Sequence, residues 1–469
     1  MTQALNLSED RLFSANQTER AIARRLYARV KNLPIISPHG HTDPAWFAGN
    51  KNFTDAASLL VTPDHYVVRM LYSQGVSLAD LGVGNSGADP REIWRKFASH
   101  YTLFAGTPSA MWMGHVFANV FGFKDQLCAQ TADDYFDKIG AALATDAYRP
   151  RALMDRFNIE LIATTEGALD PLTHHKSLDE KWSKRVITTF RPDDVTDALR
   201  DDFAHNIAAL GAMTGEDTQV WNGYLNALRK RRADFMEQGA TASDHGPASA
   251  QTADLSKAEC EALFSKCLIG KASQSERALF GAQMLTEMAG MSIEDGMVMQ
   301  IHPGSHRNHN SALFTKFGAD IGGDIPMATD YVGALKPLLT KYGNDSRFSL
   351  IIFTLDESAY ARELAPLAGH YPCLKLGPAW WFHDSPEGML RYRRQVTETA
   401  GFYNTAGFND DTRAFLSIPA RHDVARRMDC RFLAELVSQH RVSEEEAEII
   451  IVDLTYNLAK KAYRLGGAP

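Results

Sequence analysis

Two histidines, His39 and His41, stand two residues apart directly after the apolar run Leu33-Pro34-Ile35-Ile36. Side chains at i and i+2 of a strand share a face, so the pair projects together from the carboxyl end of a short buried strand. Two imidazoles held side by side form a metal-ligand pair. Sixteen histidines in one chain produce some such pairs by chance, so the reading depends on what else collects near them.

Further apolar runs recur along the chain, each ending in polar or glycine-rich residues. With Pro34 to Ser37 they are Ile159 to Thr164, Val186 to Phe190, Gly239 to Ser243, Met297 to Ile301, Ser349 to Thr354, Cys373 to Leu376 and Asn404 to Phe408. Helical patterns separate most of them. Eight strands alternating with helices is the count of a (β/α)8 TIM barrel, with a doubly wound sheet as the competing arrangement. Two stretches exceed ordinary connections. Residues 43–151, rich in aromatics such as Trp94, Trp112 and Phe117, read as a helical subdomain inserted after strand one. Residues 247–291 read as a second insertion, between strands four and five. The domain plan is therefore 1–42, 43–151 and 152–469. Inside the first insertion, residues 82–87 fit GxGxxG, but no strand precedes them, and a connector explains them better than a dinucleotide loop.

Barrel enzymes carry their reactive groups at the carboxyl ends of the strands. The residues there include Thr164, Thr165 and Glu166; Arg191-Pro192-Asp193; Asp244-His245-Gly246; His302 and then Arg307; Trp380-Trp381-Phe382-His383-Asp384; and Asp410-Asp411-Thr412-Arg413. Core packing does not call for polar side chains at one end of successive strands; a shared site does. Two histidines from strand one and an aspartate from strand eight become neighbours once a barrel closes. They would supply three N/O ligands to a divalent metal, zinc first, with Mn²⁺ or Fe²⁺ as alternatives.

Composition narrows the classes further. Apolar residues are 45% and charged residues 23% of 469, ordinary for a globular protein. No apolar run approaches the roughly 18 to 20 residues of a membrane span, and Met1 to Ser8 lack a secretory pattern. The five cysteines are scattered and form no metal knuckle, which fits a reducing, cytoplasmic setting. A net charge of −8 argues against nucleic acid but not against a small anionic substrate met by a few arginines.

The HxH pair and the late aspartate resemble the amidohydrolase superfamily, and the remaining motifs resemble one branch of it, the uronate isomerases. The matching stretches include Asp64-His65-Tyr66, Gly106-Thr107-Pro108 with Trp112 and His115, Phe190-Arg191-Pro192-Asp193, Ser243-Asp244-His245-Gly246, residues 302–310, residues 380–390 and residues 411–417. They follow the family's order from residue 39 to 417. The resemblance implies that His39, His41 and Asp411 hold the metal. It also implies that His65 and Tyr66 reach over the barrel mouth to the reacting carbons, and that Arg191 and Arg413 engage a hexuronate. Ser37 departs from the family, whose members usually carry aspartate there; Pro303 and His306 also replace apolar residues.

Aldose–ketose isomerisation moves a proton from C2 to C1 through a cis-enediol, and needs a base, an oxygen-to-oxygen proton shuttle and stabilisation of the enediolate. Asp411, His65 and Tyr66 are the candidates, their division of labour left open. His302 is either a ligand or a donor behind the ligands, Trp381 is either rim packing or a sugar platform, and Arg307, slightly later in the chain than His302, is a further substrate-binding candidate. A binuclear hydrolase of the same superfamily is the alternative, yet it wants a lysine after strand four and a histidine after strand six; Asp244-His245 and Leu355-Asp356-Glu357 stand there instead. A non-catalytic sugar-acid-binding barrel is the other rival. His115, His174, His175 and His422 are expected to be structural. A barrel with large helical insertions also has surface to bury in a homo-oligomer.

Overall fold

A computed structural model describes residues 3–84 and 86–466. Met1, Thr2, Asn85 (within the GxGxxG match) and residues 467–469 lie outside the described residues.

Seven parallel strands pair in the order β1 (Ile35–Ser37), β2 (Ile159–Gly167), β3 (Val186–Arg191), β4 (Ala242–His245), β5 (Val298–Ile301), β8 (Leu350–Ile352) and β9 (Leu374–Leu376). The spatial order follows the chain without reversal, which rules out a doubly wound sheet. Registers such as Ile162 opposite Val186, Ala242 opposite Val298 and Ile352 opposite Leu376 bring all the carboxyl ends to one side. β1, β4, β5 and β8 are buried along their whole length, as expected for parallel strands covered on both faces.

The eighth expected strand is reduced to one parallel bridge. Leu376 N–H donates to Asn404 O at 2.9 Å, and Ala406 N–H donates to Leu376 O at 2.8 Å. The ladder stops there because Gly407 turns to φ +77°, where an added Cβ would lie 2.8 Å from the backbone nitrogen of Ala459. Just beyond, His41 N–H donates to Thr412 O at 3.1 Å. The sheet therefore curls until the segment after β9 meets the loop after β1.

Among the helices, α1 (Gln17–Val30) precedes β1, while α2 (His65–Ser73) and α3 (Pro108–His115) belong to the mainly helical stretch between β1 and β2. Side-chain caps start that stretch's helices repeatedly: Asp43, Asp55, Asp64, Asp89 and Thr107 each accept backbone N–H groups. Its aromatic residues, including Trp94, Phe97 and Phe117, join Ile35 and Ile159 in one hydrophobic core, so it packs directly on the sheet flank. Between β4 and β5 lie two helices, Lys257–Leu268 and Gln274–Asp295, each opened by a Ser–Glu capping box. A third excursion, not anticipated from sequence, follows β5: the two-residue strands β6 (Ser305–His306) and β7 (Ile325–Pro326) pair antiparallel. α4 (Pro386–Ala400) follows β9, and α5 (Ile418–Ser438) follows the curled-back segment. Among the described residues no helix is long and apolar enough to cross a membrane.

Candidate active site

At the carboxyl ends of the strands opens a cavity of about 500 Å³. Every candidate site residue expected from sequence lines it: His39, His41, His65, Tyr66, Arg191, His302, Arg307, Trp381, Asp411 and Arg413. The expected structural histidines do not. His175 bonds Thr164 at 2.9 Å behind the sheet, and His422 bonds Asp410 at 3.0 Å.

β1 ends at Ser37, and the loop after it sends both imidazoles inward, with ring centres 5.3 Å apart. Asp411 Oδ1 lies 3.5 Å from His39 Nε2 and 3.1 Å from His41 Nε2. One donor atom from each of the three residues falls within 4.8 Å of the others. Asp411 adopts φ 39°, a left-handed conformation that costs a non-glycine residue about 1–3 kcal/mol and is typical of functional positions. Its Oδ2 accepts from Trp380 Nε1, while Oδ1 is buried without an aligned hydrogen bond. Burial alone would raise the Asp411 carboxyl, but His39 and His41 outweigh it and hold the group far below the usual carboxylate range. Burial also lowers the pKa of His41, against the pull of Asp411. An ionised carboxylate beside a neutral imidazole is the protonation state in which ligands accept a divalent cation. The donor set, the orphaned Oδ1 and the unpartnered His39 Nδ1 all fit such an ion.

Beneath them sits Asp244, fully buried on β4. Its Oδ1 is 2.6 Å from His302 Nε2 and 4.0 Å from His39 Nε2, and its Oδ2 is 3.3 Å from Arg191 Nη1. Burial works to raise its pKa, yet those neighbours hold it well below the ordinary value. Arg191 also donates from Nε to Asp193 Oδ2 at 2.9 Å. From sequence, Asp244 has a place at the end of its strand, between Ser243 and His245, but no role of its own.

The opposite wall is built by α2 and the segment leading into α4. Asp64 caps α2 and fixes its first residues, His65 and Tyr66, at the cavity edge. Burial, reinforced by Arg413, lowers His65 to about 3, so its imidazole is neutral. Burial and then Asp384 push the Tyr66 phenol well above its usual value. Its hydroxyl accepts Phe382 N–H at 3.0 Å and donates to Asp384 Oδ1 at 3.1 Å. Arg421 of α5 completes this chain, donating to Asp384 Oδ2 at 2.8 Å while lying 3.5 Å over the Trp112 ring. Neither Asp384 nor Arg421 was assigned from sequence. Asp384 stood in a motif, but nothing local in sequence marks Arg421 as its partner.

At the rim, Arg307 pairs with Asp324 at 2.8 Å and lies 5.5 Å over Trp381, and Arg413 pairs with Asp320 at 2.9 Å. Trp381 stacks on Phe382 and leaves its buried indole N–H without a partner. No lysine lines the cavity among the described residues.

A family profile described as glucuronate isomerase matches residues 8–463. The chain belongs to the glucuronate isomerase family. Uronate isomerase of Phenylobacterium zucineum is 63% identical over 99% of this chain and 98% of its own. The crystal structure of glucuronate isomerase from Caulobacter crescentus superposes with a TM-score of 0.97 at 60% identity, covering 100% of this chain and 98% of that one. Uronate isomerase from Thermotoga maritima gives 0.91 at 27% identity, over 98% and 99%. As a member of the glucuronate isomerase family the chain is an enzyme, an isomerase rather than a hydrolase, and its cavity is the place to look for that activity.

Proposed function

We propose that the cavity interconverts aldose and ketose hexuronates, D-glucuronate with D-fructuronate and D-galacturonate with D-tagaturonate, by proton transfer through a cis-enediol. The observation that carries this reading is the convergence, in one cavity, of an ionised carboxylate, a neutral imidazole, a protonated phenol and two arginines. The finer architecture belongs to the same proposal: the curled sheet and the Thr405 segment form a closed (β/α)8 barrel, with residues 43–151 as a subdomain over its mouth and 247–291 as a second insertion.

Arg191 and Arg413 bind and orient the anionic substrate. Asp411 takes the C2 proton; the C–H electron pair becomes the C1–C2 double bond as the carbonyl pair moves onto O1. Tyr66, which keeps its proton, turns its single O–H from Asp384 to the developing enediolate oxygen while Phe382 N–H stays bonded to the phenol oxygen. His65, neutral and amphoteric, moves a proton between O2 and O1. C1 then takes the proton back, and the O2 electrons form the new carbonyl. His39, His41 and Asp411 would hold a divalent ion, zinc before Mn²⁺ or Fe²⁺, and such an ion supplies charge that anchors a carboxylate or hydroxyl. The five free cysteines agree with a cytoplasmic enzyme.

Turnover of D-glucuronate and D-galacturonate in ²H₂O, followed by NMR of the ketose product, tests the reading. Deuterium at C1 is expected. Turnover with the substrate's own C2 hydrogen fully retained at C1 would leave a hydride shift or a base shielded from solvent as the route, and no turnover of either uronate would overturn the assignment.

A further inference from the structure

A second cavity, also about 500 Å³, lies on the other flank of α5. Arg421 faces the first cavity, whereas Asp423, Arg426 and Arg427 line the second, and no residue lines both. Its floor comes from Leu33 and Ile35 at the start of β1 and from Asn158 just before β2. It therefore sits at the amino ends of these strands, away from the reactive groups.

Its charge is unbalanced. Arg11, Lys31, Arg156, Arg426 and Arg427 line it against the carboxylates of Glu9 and Asp423, in a chain whose net charge is −8. Asp423 is already taken by Arg11, Arg427 and the Tyr27 hydroxyl. Among the described residues, Lys31, Arg156 and Arg426 pair with no carboxylate. Arg426 is only 6% exposed, and its guanidinium is pinned to three main-chain carbonyls: Lys31 at 3.1 Å, Leu33 at 2.9 Å and Pro34 at 3.1 Å. Those carbonyls orient the cation, and the carboxylate that acts on it from a distance, Asp423, is already shared with Arg11 and Arg427, so the charge is incompletely compensated at a buried position, which is costly. Beside it His115 of α3 makes no hydrogen bond among the described residues, so its ring is a spare donor or acceptor on the same wall.

We infer that this second cavity binds a small dianion, carrying phosphate or paired carboxylates, at a site separate from the one where uronates react. Lys31 and Arg156 supply the exposed charges, Arg156 held by Asn119 O and Val120 O, and Arg426 supplies the buried one. The volume admits an organic anion of several carbons.

Inorganic phosphate and malonate serve as the two probes, titrated calorimetrically into the full-length protein. Lys31→Gln with Arg156→Gln changes two exposed side chains outside the active cavity, so uronate turnover should match the parent; Arg156→Gln gives up bonds to Asn119 O and Val120 O, so a small fall in Tm is expected and anion affinity is read well below it. The double variant should weaken binding of at least one probe by about 10-fold or more, the scale of a lost charge-assisted contact. Arg191→Gln, which alters the other cavity, should retain that binding. Response to phosphate alone or malonate alone identifies the anion. Binding unchanged in the double variant, or lost in Arg191→Gln instead, would overturn the inference, as would no binding of either probe in the millimolar range. A change in oligomeric state of the double variant without a change in anion affinity would also overturn it, making the cavity a contact between copies.

Discussion

The Tyr66 hydroxyl donates to Asp384 Oδ1 at 3.1 Å, and Asp384 is in turn held by Arg421 at 2.8 Å. A phenol from the helical stretch between β1 and β2 is thus locked to a carboxylate that follows β9 and to a guanidinium on α5. Removing the hydroxyl and loosening the lock should have different effects. Tyr66→Phe should lower kcat by about 100-fold or more, in the range of a lost hydrogen-bond donor to a developing oxyanion, with KM nearly unchanged. Asp384→Asn keeps the size and an acceptor, so it should cost less in kcat, about 10-fold, while altering the pH profile. Steady-state kinetics across pH, with circular dichroism to confirm folding, checks both.

Metal dependence follows from the His39, His41 and Asp411 triad. Purified protein should carry about one divalent ion per chain by elemental analysis. His39→Asn and His41→Asn should each reduce the occupied fraction, and a strong chelator should abolish turnover, with activity restored by adding back Zn²⁺, Mn²⁺ or Fe²⁺. Protein that retains full turnover when metal-free would remove the ion from the reaction.

Much of this site was legible in sequence because the strand ends do the placing. His39 and His41 lie just past the end of β1, in a loop where the period-two pleat no longer applies, yet both turn into the cavity; Asp411 reaches them because the chain after β9 folds back until Thr412 O accepts His41 N–H at 3.1 Å. Three features were less accessible. Gly407 cuts the eighth strand to one bridge, and its reason is the close approach of Ala459, a residue far along the chain. β6 and β7 are two residues each, too short for any periodicity to register. Arg421 looks like one more polar residue of a long helix; only the packing of α5 against Trp112 turns it toward Asp384.

Arg191 is tied to both Asp193 and buried Asp244. Arg191→Gln should therefore do two things at once. Losing a charge-assisted contact to substrate should raise KM for uronate by about 10- to 100-fold. Taking the guanidinium away from Asp244, which then keeps only His302 and His39 beside it, should also lower Tm, because removing one partner of a buried pair exposes the cost of the remaining charge. Arg191→Lys should recover part of the Tm but little of the KM, since a point charge does not reproduce the guanidinium fork. Arg413, paired only with half-exposed Asp320, should show the KM effect in Arg413→Gln with little change in Tm.

Glu166 offers a pH test independent of the metal. Its carboxyl is buried behind the sheet, where Thr164 and Thr188 donate to Oε2. Burial, against those hydrogen bonds, raises it from 4.5 to about 7. A group whose folded pKa is raised contributes stability that is fully present below its unfolded pKa and is lost as pH rises through the folded value. Glu166 should therefore weaken the fold progressively between about pH 4.5 and pH 7, by an amount on the order of 3 kcal/mol. Glu166→Gln retains the acceptor oxygen and removes the titration. Relative to Gln, the parent should be comparably stable near pH 4.5 and less stable at pH 8, measured by urea unfolding at both. A stability difference that stays constant across that window would mean that Glu166 is ionised without penalty in the folded protein.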